Sequence, residues 1–410
     1  MKPVLNFIKS NMVLGLLISI ILFDANGIRI HIANSNITDW SLTEFLINYQ
    51  GGFVRRGIFG EIVFNTNDPA YYTTLLQKSA LVFVLIGLIA ILIIEKSNLS
   101  RILFAATFVF APGGLHDMKG GGKFPGGEWE YLDRKEIWFY CALIIFYFSV
   151  KFLSKKPLLL TAIFIAVSML MILHHELFVI FTLVLYTTIL LSKRFNLKSV
   201  DTYAAITYYI FVLSTFYIVF TFHGDQTVSS AILNSYQSNF PGIITYGGAI
   251  DSISWSIADS HELPLRLISE GSILYYIYFA VLAVLFLLLY TIVKFKNRAN
   301  FYLAILLNTG MLIGCLLISY VFWDVGRLIS IYVFITLISL NVLDQAVSKF
   351  ETQGRLRFAS KNELSEIFQK NFIIFFLVGY LIFISLITRV NHCCPQPNEI
   401  PLRSFLGLLN

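Results

Sequence analysis

Charge is what this sequence is short of. Only 13% of its 410 residues are Asp, Glu, Lys or Arg, while 57% are hydrophobic; soluble domains carry about 25% charged residues. So little polar surface cannot coat a water-soluble fold, and so much apolar surface is not a disordered chain, which excludes both. Cysteine is scarce as well. Its four residues, Cys141, Cys315 and the adjacent Cys393 and Cys394, are too few for a disulfide framework and lack the spacing of a Cys/His metal centre. No run of Lys and Arg interleaved with aromatics points to nucleic acid, and the net charge is only +6. What the chain has in quantity is long apolar runs, which suit lipid as the solvent and helices that satisfy their own backbone.

A hydrocarbon core of roughly 30 Å takes about 20 mostly apolar residues to cross. Eleven such runs are predicted, at about 4–23, 73–94, 102–114, 137–150, 157–173, 177–192, 203–222, 273–293, 301–321, 328–343 and 371–389. With the N-terminus inside, the inner segments hold 18 of the 30 basic residues and six of the 24 acidic ones, giving +12 inside and −6 outside. That bias is what orients short loops, so the expectation is an all-α, polytopic helical bundle of about eleven spans, N-inside and C-outside. Residues Phe23-Asp24-Ala25-Asn26 make a poor cleavage site, so the first span reads as a retained anchor. No internal repeat is evident, and residues 1–410 read as one membrane domain with outside loops at about 24–72, 115–136 and 223–272 and a cytoplasmic excursion at about 344–370.

Loops held by a rigid scaffold are where binding and catalysis concentrate, and the long ones here are outside. The first carries Gln50-Gly51-Gly52-Phe53-Val54-Arg55-Arg56-Gly57. Gly51 and Gly52 let backbone come close to a ligand, and Arg55 and Arg56 offer forked donors for phosphate, on the face where positive charge is disfavoured. Contact with lipid headgroups is the plainer reading of the same pair. The stretch from Trp40 to Tyr49 is amphipathic enough to lie along the membrane surface. In the second loop the phosphate-loop pattern fails at Asp117 and Phe124, leaving Arg134 and Lys135 at the mouth of the next span.

His174-His175-Glu176 forms a tight turn between two apolar runs. Ionisable groups at that depth usually face a cavity and mark a site, which assigns His175 and Glu176 to proton handling or sugar binding, against a turn merely capped by polar residues. Asp324 and Arg327 fall in a second tight outer turn, either as a structural pair or as a phosphate contact with an orienting or proton-accepting carboxylate. The segment 223–272 is rich in Ser, Gly and aromatics, as a sugar-binding surface would be. No metal and no cofactor is expected.

Arginines and carboxylates gathered on one face of a multi-span scaffold imply an anionic ligand borne by lipid, and a polyprenyl-diphosphate-linked glycan fits that description. In its size, its Phe, Ile, Leu and Tyr content and its long late outside loop, the chain resembles bacterial O-antigen or capsule repeat-unit polymerases. More broadly it resembles polyprenyl-dependent membrane glycosyltransferases of the type C fold. The resemblance implies an acidic residue in the first outside loop, at Asp39, Glu44 or Glu61, and a His-Glu motif at His175-Glu176. It implies a glycosyltransferase of the bacterial inner membrane, active on the periplasmic side, that polymerises repeat units. Arg55, Arg56, Arg134, Lys135 and Arg327 would hold the diphosphate, with Glu176, His175 or Asp324 taking the proton. Its partners would be the lipid-linked donor and acceptor, membrane lipids and a chain-length regulator. A single-sugar type C transferase and a lipid-linked oligosaccharide flippase are the alternatives.

Overall fold

The computed structural model describes residues 14, 15, 17–19, 39–95, 97–111, 135–192, 199–244, 247–255, 273–295, 297–319 and 325–351. Among them the chain is helical throughout, with no strand. Two short helices come first, α1 (Asp39–Phe45) and α2 (Gly57–Phe64), followed by α3 (Pro69–Ile94) and α4 (Asn98–Phe110). Next are α5 (Ile137–Leu153), α6 (Pro157–His174), α7 (Phe178–Ser192) and α8 (Ser199–Thr221). Beyond α8 lie α9 (Gln226–Asn239), the single turn α10 (Gly248–Asp251) and a 3₁₀ turn (Ser252–Ser254). The chain then continues through α11 (Ile273–Lys294), α12 (Arg298–Ser319) and α13 (Val325–Glu351).

Local sequence explains the helix starts. Asp68 accepts the Tyr71 N–H at 3.0 Å and Pro69 fills the first position of α3; Ser97 caps α4, and Asp225 caps α9. Arg101 turns back to donate from Nε to the Leu92 carbonyl and from Nη2 to that of Ile93, closing the end of α3.

Six of the described helices are long and apolar enough to cross a membrane, over Pro69–Ile94, Pro157–His174, Asp201–Thr221, Tyr276–Lys294, Arg298–Leu317 and Leu328–Val347. The runs expected at 102–114, 137–150 and 177–192 form the shorter apolar helices Asn98–Phe110, Ile137–Leu153 and Phe178–Ser192. The expected span at 371–389 lies outside the described residues, as does most of that at 4–23. Burial separates the helices: 89% of the α13 window is buried but only 28% of the α8 window. Thus α13 is the axis of the bundle, packed by α5, α7, α11 and α12, whereas α8 presents Tyr203, Ile210, Tyr217 and Phe220 outward. An outward apolar face of that extent is a lipid-facing one. Inside the bundle, Ser168, Thr182 and Tyr208 hydrogen-bond across α6, α7 and α8, the kind of interhelical contact that holds helices together where lipid supplies no hydrophobic drive.

Two expectations about loops change. The segment expected as the first outside loop contains α1 and α2, and residues 42–48 are buried and do not lie along a surface. The second half of that layer is α9, α10 and the 3₁₀ turn. Leu42, Leu46, Ile47, Val54 and Val63 close a small core against Ile232, Tyr236, Ile250 and Ile253. The Ala249 N–H bonds the Thr43 hydroxyl at 3.0 Å. The segment 223–272 therefore begins as a packed cap, and 344–351 continues α13.

The two ends of the bundle differ in charge. Lys294, at the end of α11, pairs with Glu95 at the end of α3 and with Asp344 in α13. The other end carries the cap and a larger cluster.

Candidate functional site

Three sequence segments meet where α2, α5 and α6 share one end of the bundle: the Arg55-Arg56 turn, Lys135-Glu136 ahead of α5, and His174-His175-Glu176 after α6. The 174–176 turn is fixed by its backbone, since the His175 N–H reaches back to the Met171 carbonyl at 2.7 Å and the Phe178 and Val179 N–H groups bond to His175 and Glu176. This ends α6 and starts α7 within three residues, leaving Glu176 to point at the arginines.

Arg56 holds Glu176 in a two-pronged pair, Nε to Oε2 at 2.9 Å and Nη2 to Oε1 at 2.5 Å. Its backbone is left-handed, φ 66° and ψ 8°, a conformation that costs a non-glycine residue on the order of 1–3 kcal/mol and persists only where its surroundings fix it. Here they do: Glu176 holds the side chain, and the buried Lys135 ammonium donates to the Arg56 carbonyl at 2.8 Å. Arg55 is held more loosely. Its N–H bonds the Phe222 carbonyl at 2.9 Å, but its guanidinium meets Glu176 only through Nη1 at 3.4 Å and stays 26% exposed. Its Nε is without a hydrogen-bond partner.

His175 is fully buried with carboxylates on both sides of its ring. Nε2 lies 3.6 Å from Glu136 and Nδ1 lies 3.7 Å from Glu176. Glu44, from α1, completes the group: ligand atoms of Glu44, Glu136 and His175 all lie within 4.8 Å of one another. His174 points elsewhere, into a wall of Phe45, Phe59 and Trp138.

Electrostatics follow from this geometry. Burial by itself would raise the Glu176 carboxyl, but Arg56, His175 and Arg55 outweigh it and hold the group well below the ordinary carboxylate range. Burial pushes the Lys135 ammonium down to about 7, with Glu44 opposing that shift and Arg56 adding to it. Burial likewise lowers Arg55, against the pull of Glu176.

Arg55, Arg56, Lys135, His175 and Glu176, all singled out by sequence, are thus brought together. Gly51 and Gly52 stand nearby with different surroundings. A Cβ on Gly51 would meet the Val228 carbonyl oxygen at 2.8 Å, so its bareness serves packing on α9, while Gly52, at φ +103°, faces open space. Arg134 and Asp324 lie outside the described residues. Arg327 falls in the first turn of α13, at the end of that helix opposite Asp344 and so at the cluster's end of the bundle, with its side chain outside the description. Of the three acids proposed for the first loop, Glu44 is in the cluster. Glu61 instead accepts the Tyr49 N–H at 2.9 Å and a bond from Gln50, holding its own loop, and the Asp39 side chain is outside the description. Sequence reasoning did not include Glu136; the available signal was a second ionisable residue beside Lys135 at the start of an apolar run.

Comparison with family models, with curated proteins and with solved structures finds no match for this chain.

Proposed function

We propose that this membrane protein is a glycosyltransferase that takes a polyprenyl-diphosphate-linked glycan at the outer face of a bacterial inner membrane and polymerises repeat units. The reading includes eleven spans, N-inside. The observation that carries it is the loosely held, 26% exposed guanidinium of Arg55 at the edge of a cluster assembled from four segments. A forked donor with unspent N–H groups, at the interface where a lipid headgroup sits, is suited to a phosphate oxygen. Arg56 is committed to Glu176 and acts as a strut.

In this reading Arg55 leaves Glu176 for the departing diphosphate and stabilises its charge. Losing one arginine makes the Glu176 carboxylate a better proton acceptor as the acceptor hydroxyl arrives. Arg56 orients that carboxylate, and His175 lies 3.7 Å from it. Arg327, at the same end of the bundle, and Arg134 are further candidates for the phosphates. The cap formed by α1, α2, α9 and α10 would border the glycan.

A second reading, a single-sugar type C transferase using a polyprenyl-phosphate donor, is favoured by Glu44, an acid of the first outside loop placed in the cluster. The test is glycan analysis of a strain lacking the gene, complemented with the wild type or with Arg55→Ala. Polymerisation predicts loss of long lipopolysaccharide or capsule chains and no rescue by Arg55→Ala at equal protein level. Long chains missing one side-branch sugar would select the single-sugar reading, and unaltered glycan would defeat both.

A further inference from the structure

We propose that Glu44, Glu136 and His175 bind a divalent cation of the zinc or manganese class. The inference stands on the cluster itself, independently of the reaction assigned above. Two carboxylates and one imidazole come from three separate segments, all are buried (2%, 1% and 0% exposed), and their ligand atoms converge within 4.8 Å. The His175 Nε2 to Glu136 Oε1 distance of 3.6 Å is close to the separation of about 3.4 Å that two donors take around one ion at about 2.1 Å in tetrahedral geometry. Glu44, whose ligand atom lies within 4.8 Å of both, would be the third ligand of a set with an open position. Mixed imidazole and carboxylate donors suit zinc or manganese better than magnesium or calcium, which prefer oxygen alone.

A second feature points the same way. Ligating imidazoles almost always present their other nitrogen to a carboxylate that orients the ring; on that side of His175, Glu176 Oε2 stands 3.7 Å from Nδ1, a short movement beyond hydrogen-bond distance. Without metal the Leu177 N–H donates to Nδ1 at 3.4 Å, so metal binding at Nε2 would move the ring proton to Nδ1, on the side of Glu176. Glu176 is in turn clamped by Arg56, so the ring would be braced from outside.

The rival occupant is the Lys135 ammonium, which lies close enough to feel both Glu44 and Glu136 while donating to the Arg56 carbonyl. The two are separable by experiment. The full-length chain is purified in detergent without chelator, its metal content is measured, and Mn²⁺ binding is titrated by electron paramagnetic resonance. The expected result is about one zinc or manganese equivalent per chain, with Glu44→Gln and Glu136→Gln each weakening Mn²⁺ binding at least tenfold. Glu176→Gln should weaken it by roughly 10–100-fold, the usual loss for an orienting partner. A fold-independent check uses the wild type alone: chelation should lower its thermal midpoint and Mn²⁺ should restore it. Failure of the wild type to retain metal or respond to Mn²⁺ would overturn the proposal. So would binding that survives both glutamine variants, or binding that emerges only in Lys135→Met, because the lysine would then own the place.

Discussion

Replacing Glu176 with glutamine keeps shape and removes one charge, which tests whether the Arg56 pair holds the cluster together. The carboxylate is 14% exposed and Arg56 11%, so both are largely out of water. Breaking such a pair from one side typically costs 3–5 kcal/mol, because a buried charge is left without its counter-charge. Partial solvent access at Arg55 reduces this to about 2–3 kcal/mol. The pair should be measured as a cycle with Arg56→Gln, which retains the left-handed backbone and its strain in both arms. The double variant should then be more stable than the two single losses predict, by about 2 kcal/mol. Unfolding half-lives of detergent-purified protein at one temperature, followed by tryptophan fluorescence, supply the four corners. The pH dependence has a fixed sign. The folded carboxyl lies well below its ordinary value of 4.5, so its stabilisation is complete above that value and is lost as pH falls through the lower folded one. Wild type should therefore lead Glu176→Gln at neutral pH and lose that lead only below pH 4.5. Strictly additive losses, or a constant lead down to acid pH, would refute the two-pronged bridge as the cluster's keystone.

Two further perturbations probe the surroundings. Lys135, with its ammonium lowered from 10.5 to about 7, releases its proton more readily folded than unfolded, so stability should rise between pH 7 and 10.5. The cost below pH 7 is at most about 5 kcal/mol; Lys135→Met should abolish the slope, and an unchanged slope in thermal midpoints would refute the assignment. Gly60→Ala should yield no folded protein on size-exclusion chromatography, because the new Cβ would lie 1.7 Å from the Ile47 carbonyl oxygen, and backbone cannot swing aside. Gly52→Ala, with open space around it, should cost only about 1–2 kcal/mol for its positive φ.

The fold was legible where composition alone decides. Helices at 69–94, 157–174, 201–221, 276–294, 298–317 and 328–347 stand within a few residues of the apolar runs, because a run that long in lipid has no other way to satisfy its backbone. The segments between the long apolar runs were harder. Trp40 to Tyr49 looks amphipathic, and amphipathicity says that one face is buried without saying against what. The answer lies almost 200 residues away, in Ile232, Tyr236 and Ile250, and no local pattern could supply it. The same holds for Gly51, whose closest neighbour is the backbone of Val228, a packing constraint that no local pattern could reveal.

At the site, sequence could single out His175 and Glu176 as ionisable groups costly beside apolar runs, Arg55 and Arg56 as paired forked donors, and Lys135 as a cation ahead of an apolar run. It could not say how they divide the charge among themselves, and that division decides their chemistry. Glu176 faces two guanidinium groups, so its side of the cluster has a surplus of positive charge. Glu44, Glu136 and His175 face one lysine, so their side has a surplus of negative charge. His175 stands at the boundary between the halves, within 3.7 Å of a carboxylate in each. In the proposed reading a phosphate would be attracted to the first half through Arg55 and a cation to the second. Filling either half reduces the charge that opposes the other ligand, so anion and cation should each bind more tightly in the presence of the other. That reciprocity would not arise if the seven charged and titratable groups formed a single neutral network.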